Sequence, residues 1–272
     1  MVINCLHMNH INAVVDGFDD TVAHFREVYG AELISDMPRD EWHACLIAIG
    51  GVILELFSPH DDLLHARFGP HYVGVEYQTT DVGAARDAVT ARGMRVIREL
   101  GVAFHVHPAD AFGVALEFFD RSFHDYPPPV PYLEPLKPEA YWRDDHPLGL
   151  AGLKRYTVAV SDLDAAVALF GELVGAELRY ETDRPTVAAR AVGLDLGDTV
   201  LELQSPVGDG LLARYLARWG DGIRSVVFEV VDLARAQVHM AAKGIELRPG
   251  DDPDTLAIAP DDNRGLLFEF AQ

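Results

Sequence analysis

The chain says much of what it has to say twice. The stretch Val14-Val15-Asp16-Gly17-Phe18-Asp19-Asp20-Thr21-Val22-Ala23-His24-Phe25 returns as Ala159-Val160-Ser161-Asp162-Leu163-Asp164-Ala165-Ala166-Val167-Ala168-Leu169-Phe170. Both copies run on into Gly-Ala-Glu-Leu, at Gly30–Leu33 and at Gly175–Leu178. Farther along, Ile53-Leu54-Glu55-Leu56-Phe57-Ser58-Pro59 pairs with Val200-Leu201-Glu202-Leu203-Gln204-Ser205-Pro206, and Gly113-Val114-Ala115-Leu116-Glu117-Phe118 with Gly265-Leu266-Leu267-Phe268-Glu269-Phe270. Copies of one sequence carry the same periodicities and bury the same faces, so such a chain folds as repeats of one supersecondary unit.

Residues 1–124 and 150–272 are the two copies, and residues 125–149 join them. The joining segment holds Pro127, Pro128, Pro129, Pro131, Pro135, Pro138 and Pro147. Proline at this density enforces extended backbone and removes donors, which predicts a linker draped over a surface, with Tyr126, Tyr132, Tyr141 and Trp142 packing onto it.

Each copy divides again. The first module reads as a strand (6–15), a helix (19–29) and three further strands (32–35, 42–49, 52–57). Asp19 or Asp20 suits the helix N-cap, Gly30 its end, and Gly50-Gly51 a hairpin turn. The second module repeats the pattern from Val73, the third from Lys154 and the fourth from Ile223. The predicted fold class is α+β: four βαβββ modules paired into two half-open barrel domains.

Composition narrows the function classes. A net charge of −21 with no basic patch argues against nucleic-acid binding. No apolar run approaches bilayer length, and Met1–His10 lacks a basic start and an apolar h-region, so a cytoplasmic protein without membrane contact is expected. Cys5 and Cys45, the two cysteines, cannot build a disulfide scaffold and read as reduced thiols.

The strand–Asp–helix opening (Val160-Ser161-Asp162-Leu163-Asp164-Ala165-Ala166) and a closing strand with a glutamate between large apolar residues (Leu-Glu-Leu twice, Leu-Glu-Phe, Phe-Glu-Phe) occur four times in order. This organisation resembles the vicinal oxygen chelate superfamily, which includes glyoxalase I, methylmalonyl-CoA epimerase, bleomycin-resistance proteins and extradiol dioxygenases. The stretch Ala103-Phe104-His105-Val106-His107-Pro108, followed by Gly113-Val114-Ala115-Leu116-Glu117, is most similar to the end of the epimerase subfamily. The resemblance implies a divalent metal (Fe, Mn, Co, Ni or Zn) held between paired modules by the first and last strand of each. Carried over residue by residue, it assigns His10, Glu55, Gly74 and Glu117 in the first pair, and Arg155, Glu202, Ser225 and Glu269 in the second.

Elementary chemistry supports this in part. Strand side chains alternate, so His10 and Asn12 share one face while Ile11, Ala13 and Val15 face the helix. Glu55 and Glu117 sit between large apolar residues, and a carboxylate buried in a strand needs a partner. His10, Glu55 and Glu117 are therefore the expected metal ligands. Gly74 brings no donor; Glu76, on the same face one step along, His105 and His107, two apart on one strand, or His71 are its possible replacements, as are water and substrate. Glu55, Glu117 and His105 are the candidate catalytic bases, and His43, Glu76 and His107 the candidate substrate-pocket residues. A guanidinium cannot ligate metal, so Arg155 is expected to pair with Glu202 or Glu269 and leave the second domain metal-free. His24 and His239 on helices, and His60 and His65 in a loop, are expected to be solvated, and Asp61-Asp62, Asp251-Asp252 and Asp261-Asp262 to be turn residues.

The expected function is a divalent-metal-dependent lyase or isomerase, with epimerase-like proton transfer beside a carbonyl of a small organic substrate in the first-domain cavity. Two other readings compete. One is a ring-cleaving dioxygenase, whose Fe(II) would have to sit in the first pair. The other is a non-catalytic small-molecule binding or resistance protein. A homodimer is compatible with all three.

Overall fold

The computed structural model describes residues 1–40, 42–58, 69–123 and 133–272. The first module comprises β1 (Cys5–Val14), α1 (Phe18–Tyr29), β2 (Glu32–Pro38), β3 (His43–Ile49) and β4 (Val52–Phe57). The second comprises β5 (His71–Thr79), α2 (Val82–Ala91), β6 (Val96–Glu99), β7 (Ala103–Val106) and β8 (Ala115–Phe119). The third is β9 (Leu150–Ala159), α3 (Leu163–Val174), β10 (Glu177–Arg184), β11 (Ala189–Leu196) and β12 (Thr199–Pro206). A helix not foreseen from the sequence, α4 (Leu211–Trp219), precedes the fourth: β13 (Gly222–Val230), α5 (Leu233–Ala242), β14 (Arg248–Pro249), β15 (Thr255–Ile258) and β16 (Leu267–Ala271).

The strands form two curled eight-stranded sheets, ordered β2-β3-β4-β1-β5-β8-β7-β6 and β10-β11-β12-β9-β13-β16-β15-β14. The orders are identical once the second copy's numbers are reduced by eight. The fold is thus α+β, with four βαβββ modules. Even the irregularities repeat: the β2/β3 register shifts between Leu33 and Ser35, and the β10/β11 register between Leu178 and Tyr180.

Helix ends follow local chemistry. Asp81, Asp162 and Asp232 cap α2, α3 and α5 through their carboxylates. Helix α1 departs from expectation: its N-cap is Gly17, in a left-handed conformation without a side-chain bond, and Asp19 and Asp20 lie in the first turn. There they favour the helix through its dipole instead of capping it. Gly30 ends α1 at φ 69°, as anticipated.

The chain divides into two compact units, each discontinuous in sequence. One contains Met1–Ile11, Val73–Tyr126 and Tyr156–Arg224; the other contains Asn12–Tyr72, Pro127–Arg155 and Ser225–Gln272. In the first unit the buried hydroxyls of Tyr77 and Tyr156 meet at 2.9 Å. In the second, α1 buries Phe25 and Tyr29 against Phe268, with ring centroids 5.6 and 5.4 Å apart. His24 and His239 are corrected here. Both are half-buried in this unit; His24 contacts the Asn263 side chain and His239 the Val28 carbonyl, so helix packing rather than solvent takes their polar atoms.

The second unit also holds the described part of the Pro-rich segment. Leu133 bonds the Ile34 carbonyl, Glu134 pairs with Arg26, and Lys137 reaches the Gly30 carbonyl while lying over Tyr141 and Trp142. Trp142 is buried. Tyr126 and Tyr132 lie outside the described residues, as do His60, His65, Asp61 and Asp62.

Candidate metal centre

Four buried ionisable side chains stand on four consecutive strands of the first sheet, in the order β1, β5, β8, β7: His10, Glu76, Glu117 and His105. The ladders explain the alignment. Glu76 lies opposite Glu117 in the parallel β5/β8 pair, and His105 opposite Glu117 in the antiparallel β7/β8 pair. Partners directly opposite each other point to the same face, so the register delivers these three groups to one side of the sheet. His10 Nε2 lies 3.4 Å from Glu76 Oε1, and His105 Nε2 lies 2.9 Å from Glu117 Oε2. Donor atoms of His10, Glu76 and Glu117 all lie within 4.8 Å of one another.

Gly74 has a steric cause. A Cβ at this position would stand 2.0 Å from the Ala115 carbonyl oxygen, so the close β5/β8 approach admits no side chain there. The next residue on that face, Glu76, carries the carboxylate instead.

The two acids face opposite electrostatic circumstances. Burial pushes Glu76 up, to about 7, with the charge of Glu117 adding to the rise and His10 opposing it. Burial acts to raise Glu117 as well, but the adjacent His105 imidazole and then His10 outweigh it and hold that carboxyl low. Two buried carboxylates side by side resist joint ionisation unless a cation lies between them. One imidazole and two carboxylates form a donor set suited to a first-row divalent ion, so the residues fit the metal that the fold family implies. His105 has a further property: its Nδ1 is buried without a hydrogen-bond partner among the described residues.

Around this row lies a shell that sequence reasoning missed. Asn9 Nδ2 donates to Glu76 Oε1 at 2.8 Å and to the Arg121 carbonyl at 2.9 Å. Its Oδ1 accepts the Phe123 amide at 3.0 Å. Phe123 stacks on His10, centroids 5.2 Å apart and planes at 18°. Alternation placed Asn9 away from His10's face; only its mismatch with Lys154 in the second copy hinted at a special role.

The other expected site residues are placed as follows. Glu55 is half-buried on β4, in the row Ser35–Leu46–Glu55, and is not one of the three converging donors. His43 stacks on Phe18 at 4.0 Å, pairs with Asp36, and lines a cavity of about 560 Å³ with Phe18, Val22, Leu33 and Cys45. His107 does not share a strand face with His105: β7 ends at Val106, and His107 instead caps the short turn Pro108–Asp110, accepting from the Ala109 amide. His71 bonds the Gly69 carbonyl through Nδ1. Cys5 and Cys45 are free and buried, and burial pushes both thiols up, Cys5 to about 12.

The second sheet keeps the frame and loses the row. By register, Glu76 becomes Val227 and His105 becomes Ala257, while Glu117 persists as Glu269. Glu269 is consumed by protein donors: Ser225 Oγ at 2.8 Å, the Asp251 amide at 2.9 Å and Thr255 Oγ1 at 3.0 Å. Asp251 is accordingly a buried anchor rather than a simple turn residue. Glu202 is held by Arg184, by Tyr180 Oη at 2.6 Å and by Gln204 Nε2 at 2.8 Å. Tyr180 reaches it by lying over Gly193, where any Cβ would meet the phenol ring. Arg155, expected to pair with one of these acids, lies 3.7 Å from the Asp252 carboxylate. Arg184 has taken Glu202, and hydroxyls with a backbone amide have taken Glu269.

Fold and site together define a class. The sequence pattern of the Glyoxalase/Bleomycin resistance protein/Dioxygenase superfamily matches residues 7–121 and 152–270, and the chain belongs to that superfamily. Among its relatives, the ethylmalonyl-CoA/methylmalonyl-CoA epimerase of Cereibacter sphaeroides is 29% identical over 129 residues, covering 44% of this chain and 96% of that protein. The human mitochondrial methylmalonyl-CoA epimerase is 26% identical over 132 residues, covering 45% of this chain and 74% of its own. Among solved structures, a mutant of 4-hydroxymandelate synthase from Streptomyces coelicolor superposes with a TM-score of 0.74 at 15% identity, over 98% of this chain and 92% of that one. That likeness is one of fold. No described helix is long and apolar enough to cross a membrane.

Proposed function

We propose that the protein is a divalent-metal-dependent isomerase or lyase that moves a proton beside a carbonyl of a small organic substrate. The observation that carries this reading is the convergence of His10, Glu76 and Glu117 donor atoms within 4.8 Å, with His105 against Glu117. Held by those three residues, a divalent ion would act as a Lewis acid on the substrate carbonyl and acidify the adjacent C–H.

The chain's own groups then move the proton. The Glu117 carboxylate lies 2.9 Å from His105 Nε2 and orients the imidazole. His105 is the candidate base that takes the proton from carbon, and the C–H electron pair delocalises into the carbonyl. Return of a proton to the opposite face inverts the centre; return to a neighbouring atom isomerises it; loss of a leaving group makes the step a lyase reaction. Phe123 on the His10 ring keeps water from that edge of the row.

Two epimerases among the relatives support the same chemistry and suggest the first substrate class, a 2-substituted malonyl thioester such as methylmalonyl-CoA. The test is deuterium incorporation at C2 of methylmalonyl-CoA in D2O with added Mn2+, Co2+, Ni2+, Zn2+ or Fe2+. Exchange that depends on metal, disappears in His10→Ala and falls at least about 100-fold in His105→Ala is expected. Equal exchange by His10→Ala, or by chelated enzyme, contradicts the reading. Oxygen uptake with catechols in place of exchange would favour a dioxygenase.

A further inference from the structure

We propose that Asn9 is the positioning residue of this centre: its single amide group orients the Glu76 carboxylate and seats the turn that lays Phe123 on the His10 ring. The inference rests on the metal reading above. Asn9 is fully buried, and its three bonds use both of its N–H donors and its acceptor oxygen: to Glu76 at 2.8 Å, to the Arg121 carbonyl at 2.9 Å and from the Phe123 amide at 3.0 Å. An amide saturated in this way has one orientation. Two of the three converging donors depend on it, Glu76 directly and His10 through Phe123, whose ring lies 5.2 Å away.

The second copy is an internal control. There the position of Asn9 is Lys154, whose Nζ turns to the Gln272 carbonyl at 2.8 Å, and the position of Glu76 is Val227. Strand β9 forms all the same, in the same place in its sheet. A strand of this kind therefore does not need an amide at this position. The amide is present where the carboxylate is present and absent where it is absent, as expected of a group that serves the ligands rather than the sheet. Partners that orient ligands in this manner contribute about 10- to 100-fold to metal affinity.

The test is a Co2+ titration of the full chain, followed by visible absorption and by competition with a chelator, for wild type, His10→Ala and Asn9→Leu. Asn9→Ala, which leaves room for water to pair the Phe123 amide, serves if the leucine variant does not fold. Circular dichroism confirms the folded state of each. The expected result is a loss of about 10- to 100-fold in affinity for the Asn9 variant, with a changed d–d band because Glu76 is no longer held. Wild-type affinity and an unchanged band in the Asn9 variant, with binding lost in His10→Ala, would overturn the role of Asn9 alone. Wild type binding no better than His10→Ala would overturn the metal reading, and this inference with it.

Discussion

Glu76 and Glu117 face each other across the parallel β5/β8 ladder, both buried, one pushed toward its neutral form and the other held ionised. That inequality is what two carboxylates do when they share a dry space without a cation: one yields. A divalent ion held there would remove the need to yield, which would link metal binding to the site's protonation and to the stability of the fold.

The metal-free protein should therefore carry a pH signature. Glu76 is raised from 4.5 to about 7, so its contribution to stability is fully present below the unfolded value and is lost as pH rises through the folded one. Glu117 has the opposite sign, its contribution being lost only in acid, as pH falls below its unfolded value of 4.5. Between about pH 5 and about pH 8 the melting temperature of chelated wild type should fall relative to that of Glu76→Gln, whose amide does not titrate. Parallel curves for the two proteins would contradict the assignment.

Gly74 should not accept the ligand that the family pattern puts there. A histidine at this position brings a Cβ to within 2.0 Å of the Ala115 carbonyl, so β5 and β8 must part. Gly74→His should cost about 1–3 kcal/mol or more in urea denaturation and should weaken metal binding. A stable variant that binds metal more tightly would show that the strands can spread at no cost.

In the second copy, Arg184 neutralises a carboxylate with no exposure at all. Arg184→Met removes the guanidinium from a buried Glu202 and should cost about 3–5 kcal/mol by urea denaturation. Replacing Glu202 by leucine in the same protein should restore much of that loss. A cost below about 1 kcal/mol for the single variant would mean that solvent reaches Glu202 more readily than its burial implies.

The repeat made the architecture readable, because Val14–Phe25 and Ala159–Phe170 impose one pattern of strand, helix and strand twice over. His10 and Glu117 could be placed from that register and from their apolar neighbours. Glu76 was visible only as a residue sharing Gly74's face; that Gly74 admits no side chain depends on how closely the Ala115 backbone approaches, a distance no pattern encodes. Asn9 was hidden by alternation, since neighbours on a strand are assumed to serve opposite faces, yet both Asn9 and His10 reach Glu76. Arg184 and Tyr180, two partners of Glu202, lie 18 and 22 positions back in sequence, and Tyr180 reaches it only because position 193 is glycine. Helix α4 packs Leu212 against Ala159, Val187 and Ala189, a tertiary contact that a nine-residue amphipathic stretch does not announce.

Stoichiometric metal binding by wild type and by Glu76→Ala, measured by calorimetric titration with Mn2+ or Co2+ and checked by elemental analysis of the dialysed protein, tests the central claim most directly. The geometry predicts one ion per chain in wild type, bound at least about tenfold more weakly when Glu76 is truncated. One ion bound equally tightly by both proteins, or none bound by wild type, would contradict it.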